Sequence, residues 1–163
     1  MMKNIHLTND KDLLHIENLL DEAFGPGRQA RTAYRYREKR KLLPEYSYLY
    51  RLNNKLLASI SYSKITLNNK YNGLLLGPLA VKPGFAGKGY GVGLVETTIE
   101  HIKKNSDFSF IVLVGDIEYF KRFNFKKIKQ PVELIGPVNP DRVLLLSLDK
   151  TMLIDELEII KFL

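Results

Sequence analysis

The segment from Leu74 to Val95 reads Leu-Leu-Leu-Gly-Pro-Leu-Ala-Val-Lys-Pro-Gly-Phe-Ala-Gly-Lys-Gly-Tyr-Gly-Val-Gly-Leu-Val, an apolar strand running through a glycine-dense turn straight into a helix. The fold must be arranged around that joint, because the strand and the helix each need a packing partner while the turn stays open at their common end. Gly87, Gly89 and Gly91 remove Cβ atoms where the main chain comes close to a ligand. The helix that follows points its unpaired N–H groups and the positive end of its dipole the same way, which suits a phosphate-bearing ligand.

Spacing separates the phosphate-binding patterns. A P-loop needs Gly six residues ahead of Lys and Ser or Thr right after it; counting from Lys88, those positions hold Lys82 and Gly89. The dinucleotide pattern G-x-G-x-x-G ends on Val92 if begun at Gly87 and on Leu94 if begun at Gly89. What remains is Val81-Lys82-Pro83 followed by Ala86-Gly87-Lys88-Gly89-Tyr90-Gly91. This resembles the acyl-coenzyme-A-binding turn of the GCN5-related N-acetyltransferases (GNAT), [Q/R]-x-x-G-x-[G/A] after a strand ending in V-x-P. The resemblance implies that the backbone of Leu79, Ala80 and Val81 pairs with the pantetheine amides. It further implies that the turn Ala86, Gly87, Lys88, Gly89, Tyr90 and Gly91 holds the pyrophosphate. Ala86 stands where Gln or Arg is usual, which removes one side-chain contact and leaves the backbone donors in place.

A second match lies downstream. Phe110 to Val114 is an apolar strand, Gly115-Asp116 is a turn whose Asp can cap a short helix, and Ile117 to Phe125 reads Ile-Glu-Tyr-Phe-Lys-Arg-Phe-Asn-Phe. It resembles the last motif of the same family, Y-x-x-x-G-F, and more closely an uncharacterised branch carrying G-D-x-x-Y-Y-x-R-F-G-F. The runs at 136–142 and 23–28 resemble that branch too, so the likeness extends over about residues 5 to 148. Aligned from Phe125, the family tyrosine that protonates the departing thiolate falls on Phe120, which has no proton to give. Tyr119 is its neighbour. Adjacent helical residues point about 100° apart, so Tyr119 takes the role only if the helix is short, distorted or rotated; otherwise it packs with its hydroxyl reaching water. Asn124, in place of Gly, suits a left-handed C-cap.

The 163 residues, 45% hydrophobic, suffice for one core, and nothing marks a linker or repeat. We expect a single GNAT-like domain over residues 1–150 and a helical tail over 151–163, with Leu153, Leu157 and Ile160 on one side packing on the domain or on a dimer partner. The resemblance implies an α/β (α+β) three-layer fold, a mixed, mostly antiparallel sheet with helices on both faces. The patterning agrees. A strand at Ile5 to Leu7 precedes a helix capped by Asn9 or Asp10 and carrying Leu13, Leu14, Ile16, Leu19, Leu20 and Phe24. A basic helix runs over about Gln29 to Lys41. Strands Tyr46 to Leu52, Lys55 to Leu67 and Asn72 to Val81 join at Asn53-Asn54 and Asn68-Asn69-Lys70. The helix Gly89 to Asn105 turns Val92, Val95, Ile99 and Ile102 inward, and strands near Lys126 to Ile135 and Val143 to Leu148 finish the sheet.

No cysteine is present, so there is no disulfide framework, thiolate metal site or cysteine nucleophile, and acyl transfer must be direct. His6, His15 and His101 are too dispersed for a metal cluster, and no metal is expected. No apolar run approaches the ~20 residues of a membrane span and no leader is visible, so we expect a cytoplasmic protein with no membrane partner. The net charge of +7 fits nucleic acid, an anionic membrane or a multiply anionic ligand such as coenzyme A. Arg28, Arg31 and Arg35 share one side of the basic helix, which is either a solvated face or a wall for an acidic acceptor. Nucleic acid is not expected, since the basic residues do not follow a nucleic-acid module.

The leading expectation is an acyl-CoA-dependent N-acetyltransferase moving acetyl from acetyl-CoA, its cosubstrate, to a primary amine of a small molecule or peptide, in a monomer or homodimer. Tyr119 is the candidate general acid, and main-chain N–H groups of Leu79 to Val81 can hold the oxyanion. Glu45 and Asp116 are the carboxylates nearest the motifs, one a surface residue after Pro44 and the other a cap. The alternative from a different class is a non-catalytic acyl-CoA sensor or regulatory module, suggested by Ala86 and Phe120.

Overall fold

The computed structural model of the protein describes residues 2–25, 27–28, 41–134 and 138–163. The basic helix expected over Gln29 to Lys41 lies almost wholly outside the described residues.

Strand β1 (Ile5–Leu7) leads through a 3-10 turn to α1 (Leu13–Phe24). The Asn9 side chain accepts the Lys11 N–H while the Asp12 carboxylate accepts the Asn9 N–H, a reciprocal cap written in the order of the residues. Gly25, with φ of 82°, ends the helix. Strands β2 (Tyr48–Leu52), β3 (Lys55–Leu67) and β4 (Tyr71–Val81) form an antiparallel meander. Its two tight turns place Asn53, Asn54, Asn68 and Asn69 at positive φ, where asparagine is tolerated better than most side chains. Helix α2 (Tyr90–Asn105) crosses to β5 (Phe110–Val114), which runs parallel to β4. The short helix α3 (Ile117–Phe120) and a 3-10 turn precede β6 (Lys126–Lys127), β7 (Val132–Glu133) and β8 (Val143–Ser147). The main sheet has the order β1-β2-β3-β4-β5-β8-β6 and is antiparallel except at β4/β5, which makes it mixed and mostly antiparallel, as expected.

Alternation along the strands divides the core between the two faces. Tyr50, Ile60, Tyr62, Ile111 and Leu144 meet Leu94, Val95, Ile99 and Ile102 of α2. On the opposite face Leu49 and Ala80 meet Ile16, Leu19 and Leu20 of α1. Leu13 and Leu14, expected inside on helical spacing, are 54% and 70% exposed. They open the helix, and its buried stripe begins only at Ile16.

The tail departs from expectation. Residues 151–163 form no helix: a 3-10 turn at Ile154–Glu156 leads to a short strand β9 (Ile160–Lys161) parallel to β7. Main-chain bonds tie Leu163 to Thr66 and Asn68 to Lys161 at 2.8–3.0 Å, and the Asn68 side chain bonds the main chain at Ile159 and Lys161. Ile160 and Phe162 are buried beside Ile65, Leu67, Phe110 and Val112, on the face of the sheet opposite α2. Strand pairing satisfies the backbone here, and the apolar residues alternate, Ile160 and Phe162 inward with Lys161 between them outward.

Candidate active site

Strand β4 is long and its two neighbours do not follow it to the end. It pairs with β5 only through Gly73, Leu74 and Leu75, whereas it pairs with β3 as far as Val81. Between Leu76 and Leu79 its register against β3 slips, at the cis-linked Gly77-Pro78. Such a bulge bends a strand, and proline supplies no N–H to a ladder. β4 and β5 therefore part beyond Leu75.

The polarity of the opened edge follows from one hydrogen bond. The Lys82 N–H donates to the Leu57 carbonyl at 2.7 Å, so by alternation the N–H and C=O groups of Val81 and Leu79 face the opened side. That edge can pair with an extended amide chain as a missing strand would.

The edge runs directly into the glycine turn. Phe85 N–H closes a tight turn onto Lys82 C=O at 3.0 Å, and Gly87 and Gly89 take φ of 77° and 87°. A Cβ at either glycine would meet no protein atom within 4 Å. Glycine is needed here for its backbone conformation and leaves open room in front of the turn. The N–H groups of Ala86, Gly87, Lys88 and Gly89 make no hydrogen bond to the described residues. Gly89 caps α2 without a side-chain acceptor, so the first-turn N–H groups of that helix also face outward. The turn is an exposed cradle of donors at the positive end of a dipole. Lys88 lies over the Phe85 ring at 4.9 Å, and Tyr90 packs on Tyr50 with ring centroids 4.7 Å apart.

Tyr119 closes the other side of this opening. Its hydroxyl lies 3.0 Å from where a Cβ on Gly91 would be, with the side chains of Val81 and Leu79 beside it at 3.2 and 4.0 Å from the same point. The hydroxyl thus sits at the first turn of α2, next to the free edge of β4. α3 is a single turn, Ile117–Phe120, after which the chain tightens into a 3-10 turn and ends at Asn124 with φ of 68°. That meets the condition of a short helix. Phe120 faces the core among Phe123 and Phe125. Burial raises the Tyr119 hydroxyl above the ordinary tyrosine value, and the guanidinium of Arg122 draws it part of the way back.

The carboxylates named from the sequence do not converge here. Asp116 accepts the Glu118 N–H and caps α3; Glu45 sits on an exposed 3-10 turn after Pro44. Arg28 is no part of an exposed wall. It is 3% exposed and held by Asp21 at 2.7 Å and by Glu17, both on α1. Arg31 and Arg35 lie outside the described residues. Two features escaped the sequence reading. Gly-Pro within an apolar strand could have marked the bulge, and an arginine three residues after Tyr119 could have marked the stacking of Arg122 on its ring.

A concave space of about 620 Å³ lies away from this opening, lined by Tyr46, Lys64, Asn72, Asp107 and Phe108 among others. It borders the start of β4, whereas the glycine turn follows that strand's far end.

Comparison with known proteins agrees with the geometry. The model of the acetyltransferase (GNAT) family matches residues 13–125. The chain is 30% identical over 124 residues to the uncharacterized N-acetyltransferase YjhQ of Escherichia coli (strain K12), covering 74% of this chain and 68% of that protein. Its fold is similar to that of the GNAT family N-acetyltransferase YhbS of Escherichia coli, solved in complex with CoA. The TM-score is 0.77 at 16% identity, over 98% of this chain and 88% of the other. A GNAT family acetyltransferase of Brucella melitensis, solved with acetyl-CoA, aligns at a TM-score of 0.59 and 23% identity, over 86% and 93% of the two chains.

Proposed function

This chain belongs to the acetyltransferase (GNAT) family, and from that premise we propose that it transfers the acetyl group of acetyl-CoA directly to the nitrogen of a primary amine. The observation that carries the reading is the opened edge of β4 at Leu79 and Val81, which runs into N–H groups of residues 86–89 that have no partner among the described residues. The edge suits the two amides of a pantetheine arm, and the turn suits a diphosphate.

Each residue then has a task. Leu79 and Val81 align the thioester along the sheet and offer N–H groups to its carbonyl oxygen as negative charge develops there. Residues 86–91 fix the pyrophosphate and so the reach of the arm. The neutral amine attacks the carbonyl carbon, a C–N bond forms, and the C–S bond breaks. Tyr119 gives its phenolic proton to the departing thiolate, and solvent restores it; the nitrogen's surplus proton leaves to water. A phenol holds its proton at neutral pH, as a donor must, and burial of Tyr119 strengthens that hold. With no cysteine in the chain, no thioester forms on the protein.

Tyr119 beside Gly91 favours turnover over an acyl-CoA sensor, since the residue that lacks a proton, Phe120, faces the core. The test is release of coenzyme A thiol over a panel of primary amines, small molecules and peptide N-termini alike. Thiol release that depends on one of those amines supports the transferase. Tight acetyl-CoA binding with no release from any of them supports the sensor.

A further inference from the structure

Arg122 is an exposed side chain on the 3-10 turn after α3, yet its guanidinium lies over the Tyr119 ring, 5.0 Å from the centroid. The ring is held from other directions by Phe120 and Phe123, at centroid distances of 4.9 and 5.9 Å, both near edge-on. We propose that Arg122 is a positioning residue for acetyl transfer, holding the Tyr119 ring so that its hydroxyl stays at the first turn of α2 and offsetting the charge left on that oxygen when its proton departs. The proposal rests on Tyr119 as proton donor.

The chemistry requires such a partner. When the proton moves from the Tyr119 oxygen to the coenzyme sulfur, a phenolate remains in a half-buried position until solvent reprotonates it. From α2, the oxygen meets the positive end of the helix dipole near Gly91. From β4 the side chains of Val81 and Leu79, both apolar, border the same point, and no charged side chain of that strand does. On its own turn, Glu118 and Lys121 pair with each other, and Lys88 is directed over Phe85. Among the described residues, that leaves Arg122 as the charged side chain stacked on the ring. A planar guanidinium is suited to this double duty, since it stacks on an aromatic face and keeps its charge at every relevant pH.

The test uses the full chain and its Arg122→Gln, Arg122→Lys and Tyr119→Phe variants. Two quantities are read: kcat against pH with acetyl-CoA and an active amine, and ionisation of Tyr119 followed by ring-labelled tyrosine NMR, its resonance identified by loss in Tyr119→Phe. Arg122→Gln should lower kcat by about threefold to tenfold, as expected for a lost cation over an aromatic ring, with KM for acetyl-CoA unchanged. It should also move the Tyr119 ionisation midpoint upward, and Arg122→Lys should recover most of that shift. An Arg122→Gln protein with unmoved midpoint and rate, beside a crippled Tyr119→Phe, overturns the Arg122 proposal alone. Full kcat in Tyr119→Phe removes the proton-donor reading and Arg122's part in transfer with it.

Discussion

Tyr119 and Phe120 are adjacent, and a single turn of helix gives them opposite duties, one at the opening and one in the core. Replacing Tyr119 with Phe removes one oxygen and little packing, so kcat should fall by about 100-fold while the melting temperature holds, as steady-state kinetics and thermal denaturation would record. The proton on this hydroxyl also sets a pH limit. Burial raises its affinity, so the rate should persist through neutral pH and decline only in the alkaline range, beyond where an ordinary tyrosine ionises. Gly91 gives a complementary test. An Ala there places its Cβ 3.0 Å from the Tyr119 oxygen and 3.2 Å from a Val81 methyl, so the tyrosine tip must shift. Helix propensity favours Ala by about 1 kcal/mol, so stability should hold or rise slightly. Misplacement of the hydroxyl should cost on the order of tenfold or more in kcat. The sequence could name Tyr119 but not choose its duty, because a helical wheel assumes a regular helix and α3 lasts one turn.

At the scale of elements, α2 is fastened to the sheet by one polar contact within an apolar layer. The fully buried Tyr62 hydroxyl donates to Thr98 Oγ1 at 2.7 Å, and the Thr98 hydroxyl in turn donates a hydrogen bond to the Leu94 carbonyl at 2.8 Å. Burial pushes the Tyr62 phenol far above its ordinary value, the Thr98 bond pulling weakly the other way. The folded state therefore favours the protonated form. Its contribution to stability is complete below the unfolded value of about 10 and is lost as pH rises through the higher folded value. Tyr62→Phe should cost about 1 kcal/mol at neutral pH and lessen the loss of stability at alkaline pH, measured as urea midpoints at several pH values. Most of the regular elements were legible, but the strand expected near Lys126 to Ile135 is two short pieces, of which β6 joins the main sheet and β7 pairs with β9 apart from it. The bounds of β3, the paired asparagine turns and the α2 boundary at Asn105 all match local chemistry. The tail was not, because three apolar residues at helical spacing also occur in an irregular segment whose backbone partners, Thr66, Asn68 and Glu133, lie far away in sequence.

Across the whole molecule, one face of the sheet is covered by α2 and the other by α1 at one end and the tail at the other. The tail therefore does the work of a third covering layer. Phe162, 1% exposed and packed on Phe110 at 5.8 Å, should cost about 3–5 kcal/mol when cut to Ala. That is a fall in melting temperature on the order of 10 °C for a chain of this size, which calorimetry would record. The glycine turn was readable from the sequence because it is one contiguous segment whose shape its own glycines set. The acceptor side was not, since it depends on which segments the fold brings near Tyr119. The central claim is that main-chain donors between β4 and α2 hold the coenzyme. Titration calorimetry of acetyl-CoA into the native chain and into Gly89→Val measures it directly. The account predicts saturable binding by the native chain and at least about tenfold weaker binding by the variant, whose side chain opposes a φ of 87° and fills the cradle. No heat with the native chain, or equal affinity in the two, would contradict it.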